Sequence, residues 1–252
     1  MKQYKGVLAY LLVLSVVSLA LCACASTEKE REFEAETTSL NKNIEADAYY
    51  QLGVSKINEN DIQGAFVQLK KALDIEPRHM EALNVLGLVY LQLEDYENAK
   101  QTFLKAIKIN KDFSDAYNNL GITYAKLQMW EDSIQAFKAA IQNPFYRTPD
   151  LAYNNLGYSY YRIKKYDDAI IAFKEAIKRA EQNNSPYYGL ALVFNAQKRY
   201  GEASDSLMRA MQLDSKFKGD VNKARESFKA KLYSITGYEA TDYINFLEIM
   251  NY

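Results

Sequence analysis

The chain has 252 residues, of which 48% are hydrophobic and 25% are charged, and its formal net charge is −1. This composition is typical of a folded protein and excludes a largely disordered one. The near-neutral charge argues against nucleic acid as a partner, because nucleic-acid-binding surfaces are usually strongly basic.

Residues 1–23 have the pattern of a lipoprotein signal peptide. Lys2 and Lys5 precede an apolar run that is too short and too poorly flanked for a convincing membrane-spanning helix. The letters LCAC at positions 21–24 look like a bacterial lipobox, with Leu at −3 and a small residue at −1 relative to Cys24. The sequence therefore predicts cleavage before Cys24 and a diacylglyceryl lipid on its thiol. The alternative is an uncleaved anchor.

The predicted lipid also indicates where the mature chain resides. Residue 25 is Ala and not Asp, and the sorting rule for Gram-negative lipoproteins then predicts the periplasmic face of the outer membrane. Several acyl chains together form a stable anchor, whereas one chain binds only marginally. Apart from this covalent lipid on Cys24, we expect no cofactor.

Residues 24–45 are rich in Glu, Thr and Lys and contain few apolar groups. We predict a lipidated flexible tether with a root-mean-square span of roughly 25 Å. The alternative is an additional helix, because the letters EKEREFEAE within this segment have high helix propensity.

The chain then repeats itself. The dipeptide Leu-Gly recurs at steps of 34, 34 and 36 residues, and Ala residues and an aromatic residue follow it at nearly fixed distances. A period of 34 with this pattern resembles the tetratricopeptide repeat. We predict five units, at residues 46–79, 80–113, 114–149, 150–183 and 184–217.

Each unit contains two amphipathic helices, and one pair cannot bury its own apolar face. The predicted fold is therefore an all-α, right-handed tetratricopeptide-repeat superhelix of about five to six helix–turn–helix units. Residues 218–252 form either C-terminal capping helices or a degenerate sixth repeat. Tyr243, Phe246, Leu247 and Met250 lie on one side of the last predicted helix.

Catalytic patterns are scarce. The chain has a single histidine, His79, in a turn between units, where a solvated loop residue is expected. No Cys/His cluster has metal-ligand spacing, and no Gly-rich phosphate loop is present. We therefore expect no enzyme, no metal site and no small-molecule substrate.

A protein-binding surface is the remaining candidate. In this repeat, the first helix of each unit lines the concave face, and its ninth and twelfth positions are apolar in this chain while its fifth is often Asn. We expect the apolar side chains to contact an amphipathic helix or an extended apolar strand, and the Asn amides to hold its backbone. The alternative is that neighbouring helices or the tether cover these positions. The predicted groove comprises Val54, Ile57, Asn84, Leu88, Leu91, Asn118, Ile122, Asn154, Tyr158 and Tyr161.

The segment from Asn143 to Pro149 interrupts the period by two residues. Pro144 ends the preceding helix, Thr148 is a suitable N-cap, and Pro149 fits the first helical position. The turn therefore either displays Phe145, Tyr146 and Arg147 to a partner or folds its two aromatic rings back against the helix junction.

The signal, tether, repeats and cap together resemble the type IV pilus biogenesis and stability lipoproteins of the PilF/PilW family. The letters NPFYRTP at 143–149, followed by AYNNLG at 152–157, match a motif of that family. The resemblance implies a pilotin, which binds secretin subunits and promotes their assembly in the outer membrane. The alternative is an envelope scaffold that recruits cell-wall hydrolases or outer-membrane assembly factors.

Overall fold

The computed structural model describes residue 33 and residues 36–252, and none of these residues lies in a β-strand. The described residues divide into two compact units, one that ends at Ala82 and one that begins at Leu83, and the division falls within the third helix. None of the described helices is long and apolar enough to cross a membrane. The helices are α1 (36–58), α2 (Ile62–Ile75), α3 (Met80–Gln92), α4 (Tyr96–Ile109), α5 (Ser114–Lys126), α6 (Trp130–Gln142), α7 (Pro149–Arg162), α8 (Tyr166–Arg179), α9 (Ser185–Ala196), α10 (Tyr200–Leu213), α11 (Val221–Leu232) and α12 (Gly237–Ile249).

The sequence period recurs in the backbone of the turns. Each predicted repeat joins its two helices through one residue with positive φ, and these residues follow one another at the same steps as the Leu-Gly pairs. In the second repeat, the amide of Glu94 donates to the carbonyl of Leu91, and that of Asp95 to the carbonyl of Tyr90 at 2.9 Å. Equivalent bonds close the other turns, as in Schellman-type helix ends. The five residues with positive φ are Asn60, Glu94, Gln128, Lys164 and Lys198.

Close approach of the two helices within a repeat depends on glycine. A Cβ atom built on Gly157 would lie 2.6 Å from the ring of Phe173, and the same contact recurs between Gly121 and Phe137. These phenylalanines are almost completely buried. The Leu-Gly dipeptides of the sequence therefore mark the positions where a helix accepts a large side chain from its neighbour, Leu69 in the first repeat and a phenylalanine ring in the next three.

The first unit differs from prediction in two places. Residues 36–45, expected within the flexible tether, are helical and continuous with the rest of α1. Extending an existing helix avoids the cost of nucleation, so a largely polar segment can join it. His79 is a largely buried side chain rather than a solvated loop residue, and its Nε2 lies 2.9 Å from Asp47 Oδ1. The signal peptide, Cys24 and the first part of the tether lie outside the described residues.

The last two helices act as a cap on the second unit. Helix α12 packs against α9, α10 and α11, and Phe246 and Ile249 are buried there. Tyr243, Leu247 and Met250 pack beside them against the same core. The apolar side predicted for the final helix thus faces the core.

Candidate partner-binding surface

The predicted apolar positions remain accessible in the second and third repeats. Leu88 keeps 39% of its surface exposed, and Leu91 and Ile122 are half-buried. Ile122 also lines a cavity of about 280 Å³ together with Trp130 and Tyr238. In the first unit, Val54 and Ile57 are half-buried positions of α1.

The asparagines bond to one another rather than facing a ligand. Asn119 Nδ2 donates to Asn84 Oδ1 at 3.0 Å, and Asn155 Nδ2 donates to Asn118 Oδ1 at 3.4 Å. Asn118 and Asn154 are buried, whereas Asn84 is half-buried. Asn84 and Asn118 thus accept bonds from the following repeat and Asn154 is buried, so the structure corrects the prediction that these amides face a peptide backbone.

This ladder of amides ends at Asn154. Its Oδ1 is buried without a hydrogen-bond partner. The residue of the fifth repeat that corresponds to Asn119 and Asn155 is Gly189, which has no side chain to donate. A Cβ at Gly189 would lie 2.2 Å from the ring of Phe173, so any side chain at this position would clash with that ring.

Helix α12 covers the inner surface of the fourth repeat. Arg162 forms a two-pronged salt bridge with Asp242, in which Nη1 lies 2.8 Å from Oδ1. The guanidinium group of Arg162 also stacks 4.4 Å from the ring centre of Tyr238. One repeat earlier, Lys126 Nζ lies 3.3 Å from Glu239 Oε1. The chain's own C-terminal helix thus occupies part of the predicted groove.

Tyr158 and Tyr161 are half-buried, and unlike Leu88 they make contacts with other parts of the chain. The hydroxyl of Tyr158 donates to the carbonyl of Ser185 at 3.1 Å, and its ring meets Phe173 edge-on. Burial raises the pKa of Tyr158, and it raises the pKa of Tyr161 to about 12. Covering by neighbouring helices or the tether was the alternative to an open groove, and among the described residues α12 is a helix that contacts these positions.

A larger cavity lies beneath α12 and was not predicted. Its volume is about 700 Å³, and its walls include Tyr158, Tyr188, Phe228, Asp242 and Phe246. The hydroxyl of Tyr188 donates to Asp214 Oδ2 at 3.3 Å at this site. The abundance of aromatic residues in α12 and in the first helices of repeats four and five was the only sequence signal for this cavity.

The candidate residues in the turn at 143–149 fit both predicted roles, display to a partner and packing against the helix junction. Phe145 is 89% exposed and Arg147 is also exposed, whereas Tyr146 is half-buried against the core. Asn143 orders the turn, because its Oδ1 accepts from the Phe145 amide and its Nδ2 donates to the carbonyl of Asp112. Pro149 begins α7 as predicted, although Thr148 makes no side-chain capping bond.

The described residues contain no group of three or more His, Cys, Asp or Glu side chains that could hold a metal ion. The inner surface carries apolar and aromatic side chains, and aromatic residues are enriched in protein–protein interfaces.

The family comparisons agree with the repeat architecture. A TPR repeat model matches residues 87–128, one tetratricopeptide repeat model matches 151–183, and another matches 46–79 and 185–217. No curated protein matches the chain in sequence.

Solved structures share the fold at low identity. The chain is similar to PilW, described as a widely conserved type IV pilus biogenesis factor, with a TM-score of 0.67 and 20% identity over 80% of this chain and 90% of PilW. It is similar to pilF of Pseudomonas aeruginosa, with a TM-score of 0.64 and 21% identity over 82% and 99% of the two chains. YrrB, described as a TPR protein with an unusual peptide-binding site, has a TM-score of 0.59 and 20% identity over 77% and 97%. The chain is therefore a tetratricopeptide repeat protein with an all-α fold.

Proposed function

We propose that this protein is an outer-membrane lipoprotein that acts as a pilotin. It binds secretin subunits through its repeats and promotes their localisation and assembly for type IV pilus biogenesis. The observation that carries the proposal is the structural likeness to PilW and to pilF, which extends over at least 80% of this chain and 90% of theirs. Tetratricopeptide repeats serve as protein-binding scaffolds, and this chain is expected to act by binding and not by catalysis.

The lipobox at Cys24 supports the membrane location. Eleven residues lie between Cys24 and residue 36, where the continuous helix α1 is described. Such a segment spans at most roughly 40 Å even when fully extended. A lipid on Cys24 would therefore keep the repeats close to the membrane in which a secretin assembles.

The inner surface of repeats two and three supports binding of an apolar protein segment. Leu88 and Ile122 occupy equivalent positions of α3 and α5, and Leu91 lies one turn after Leu88; all three side chains are at least partly accessible. Lys126, a cation on this surface, is already paired with Glu239. An amphipathic helix suits this surface better than an acidic tail, because a tail would need unpaired cations.

Membrane fractionation tests the anchor. We expect Cys24→Ala to remove the protein from the outer membrane, because the variant loses its lipid attachment site. Secretin multimers that resist heating should then decrease in the outer membrane. Finding the variant still in the outer membrane would show that Cys24 is not the anchor.

Capture from solubilised envelopes tests the binding surface. Leu88→Glu combined with Leu91→Glu should reduce secretin capture at least about tenfold, since a central anchor contributes about 2 kcal/mol or more. Leu93→Glu is the matched control, because Leu93 is exposed in the following turn. If the wild-type protein captures a cell-wall hydrolase or an assembly factor and no secretin, the envelope-scaffold alternative replaces the pilotin.

A further inference from the structure

Helix α12 contacts the inner surface in the manner of a bound ligand. Glu239 and Asp242 pair with Lys126 and Arg162, which occupy equivalent positions in the third and fourth repeats. The basic residue at this position of the third repeat and the one at the same position of the fourth repeat thus each pair with one acidic residue of α12. This regularity is what a helix laid along a repeat surface produces.

Aromatic contacts follow the same pattern. The ring of Tyr238 meets Trp130 edge-on at 5.4 Å, and the ring of Tyr252 lies 4.5 Å from that of Tyr200. Trp130 and Tyr200 are equivalent residues, each at the start of the second helix of its repeat. Helix α12 and the residue Tyr252 beyond it therefore span the inner edge from repeat five back to repeat three.

The two halves of α12 are held differently. In the C-terminal half, Phe246 is buried among the rings of Phe228 and Tyr188, and Ile249 is fully buried. In the N-terminal half, Glu239 lines both the cavity of about 700 Å³ and that of about 280 Å³. The C-terminal half is thus held by large buried apolar side chains, whereas the N-terminal half is held by the individual side-chain contacts of Tyr238, Glu239 and Asp242.

The chain entering α12 is suited to a hinge. Gly237, the first residue of the helix, has a φ of +65°, a conformation that glycine adopts without steric cost. Tyr233 in the preceding linker is 94% exposed. Thr236 makes no side-chain capping bond to the helix. Unwinding of the first turns from this end would release Tyr238 and Asp242 and leave Phe246 and Ile249 in place.

We propose that the N-terminal half of α12 is an internal competitor of the partner. In the free protein, Tyr238 contacts the ring of Trp130, and Asp242 forms a salt bridge with Arg162. A partner helix with the same chemistry, an aromatic residue and a carboxylate one turn apart, takes their place. Partner binding is then weakened by the fraction of molecules in which α12 is closed. This inference rests on the proposed function, in that the partner uses the inner surface, and it adds the partner's chemistry and its regulation.

A labelled peptide with the sequence of residues 236–252 tests the competition. The wild-type chain should bind it weakly, because its own α12 occupies the site. The variant Tyr238→Ala with Asp242→Asn leaves Trp130 and Arg162 intact, and it should bind the peptide at least about tenfold more tightly. Thr241→Ala is the matched control on the exposed side of α12 and should bind as the wild type does. A peptide carrying the same two substitutions should bind the double variant no more tightly than it binds the wild-type chain.

Hydrogen exchange of the wild-type chain supplies a second measurement that needs no variant. Amides from Thr241 to Tyr243, which lie beyond the first four residues of α12, should exchange at least about 100-fold faster than those of the middle of α9, through local opening. Exchange of both helices only at the rate of global unfolding would overturn the proposal. Equal peptide binding by the wild type and the folded double variant would also overturn it. Neither experiment involves a secretin, so either can succeed when the pilotin assignment fails.

Discussion

Arg162 and Asp242 lie 80 residues apart in the sequence and form a two-pronged salt bridge between the fourth repeat and α12. Each side chain keeps only 12% of its surface exposed. Removing one partner of such a pair leaves the other buried and uncompensated, which costs more than losing an exposed pair.

We therefore expect Asp242→Ala to lower the free energy of unfolding by about 3 kcal/mol, measured by urea denaturation. Glu226 and Lys229 form a matched exposed pair, with 72% and 53% of their side-chain surfaces accessible. Glu226→Ala should cost less than about 1 kcal/mol. Equal losses in the two variants would show that the Arg162–Asp242 pair contributes no more than a surface pair.

A second prediction concerns the glycines that face phenylalanine rings. Gly157→Ala places a methyl group 2.6 Å from Phe173, where both helices and the ring must shift. We expect a loss of about 1–3 kcal/mol and a lower melting temperature. Gly201→Ala is the control, because no atom lies within 4 Å of its new methyl group. This helical position should gain stability slightly, since Ala favours helix over Gly. A neutral Gly157→Ala variant would contradict the close approach.

The turn at 143–149 gives a third prediction. Phe145→Ala should leave the melting temperature unchanged, because the ring is almost fully exposed. Tyr146→Ala should lower it by several degrees, since this ring packs on the core. Thermal unfolding followed by circular dichroism distinguishes the two. If Phe145→Ala weakens partner capture at unchanged stability, the exposed ring is a contact. If capture is also unchanged, Phe145 has no part in binding.

The buried tyrosines predict loss of stability at alkaline pH. Burial raises the pKa of Tyr158 and of Tyr188 above the usual 10.0, and that of Tyr161 to about 12. At a pH between the usual pKa of 10.0 and the raised pKa values, the unfolded chain has released tyrosine protons that the folded chain retains. Stability is therefore complete below pH 10 and falls as the pH rises. Urea midpoints measured from pH 8 to pH 11.5 test this expectation.

Tyr161→Phe should reduce this alkaline slope, because phenylalanine has no proton to release. Tyr233→Phe is the control, since Tyr233 is almost fully exposed. The same slope in the wild type and in the Tyr161 variant would show that burial of this hydroxyl does not govern the alkaline loss.

The sequence alone determined the repeats. Leu-Gly spacing, small residues and paired amphipathic stretches predicted an all-α tetratricopeptide fold, and the helices and the family comparisons confirm that fold. These signals are local, because the glycines of the second, third and fourth Leu-Gly pairs meet a ring within their own repeat, as Gly121 meets Phe137. The spacing of Phe246 and its neighbours also predicted the apolar side of α12.

Tertiary structure decided which predicted groove residues stay accessible. Whether Tyr158 and Tyr161 are open or covered depends on where α12 packs, and its amphipathic pattern does not specify a partner surface. The salt bridge from Arg162 to Asp242 spans 80 residues, and neither residue predicts the other. The amide ladder of Asn118 and Asn154 likewise depends on how successive helices align. Amphipathic periodicity reveals that a face must be buried, whereas the choice of what buries it depends on long-range packing that only the folded chain brings together.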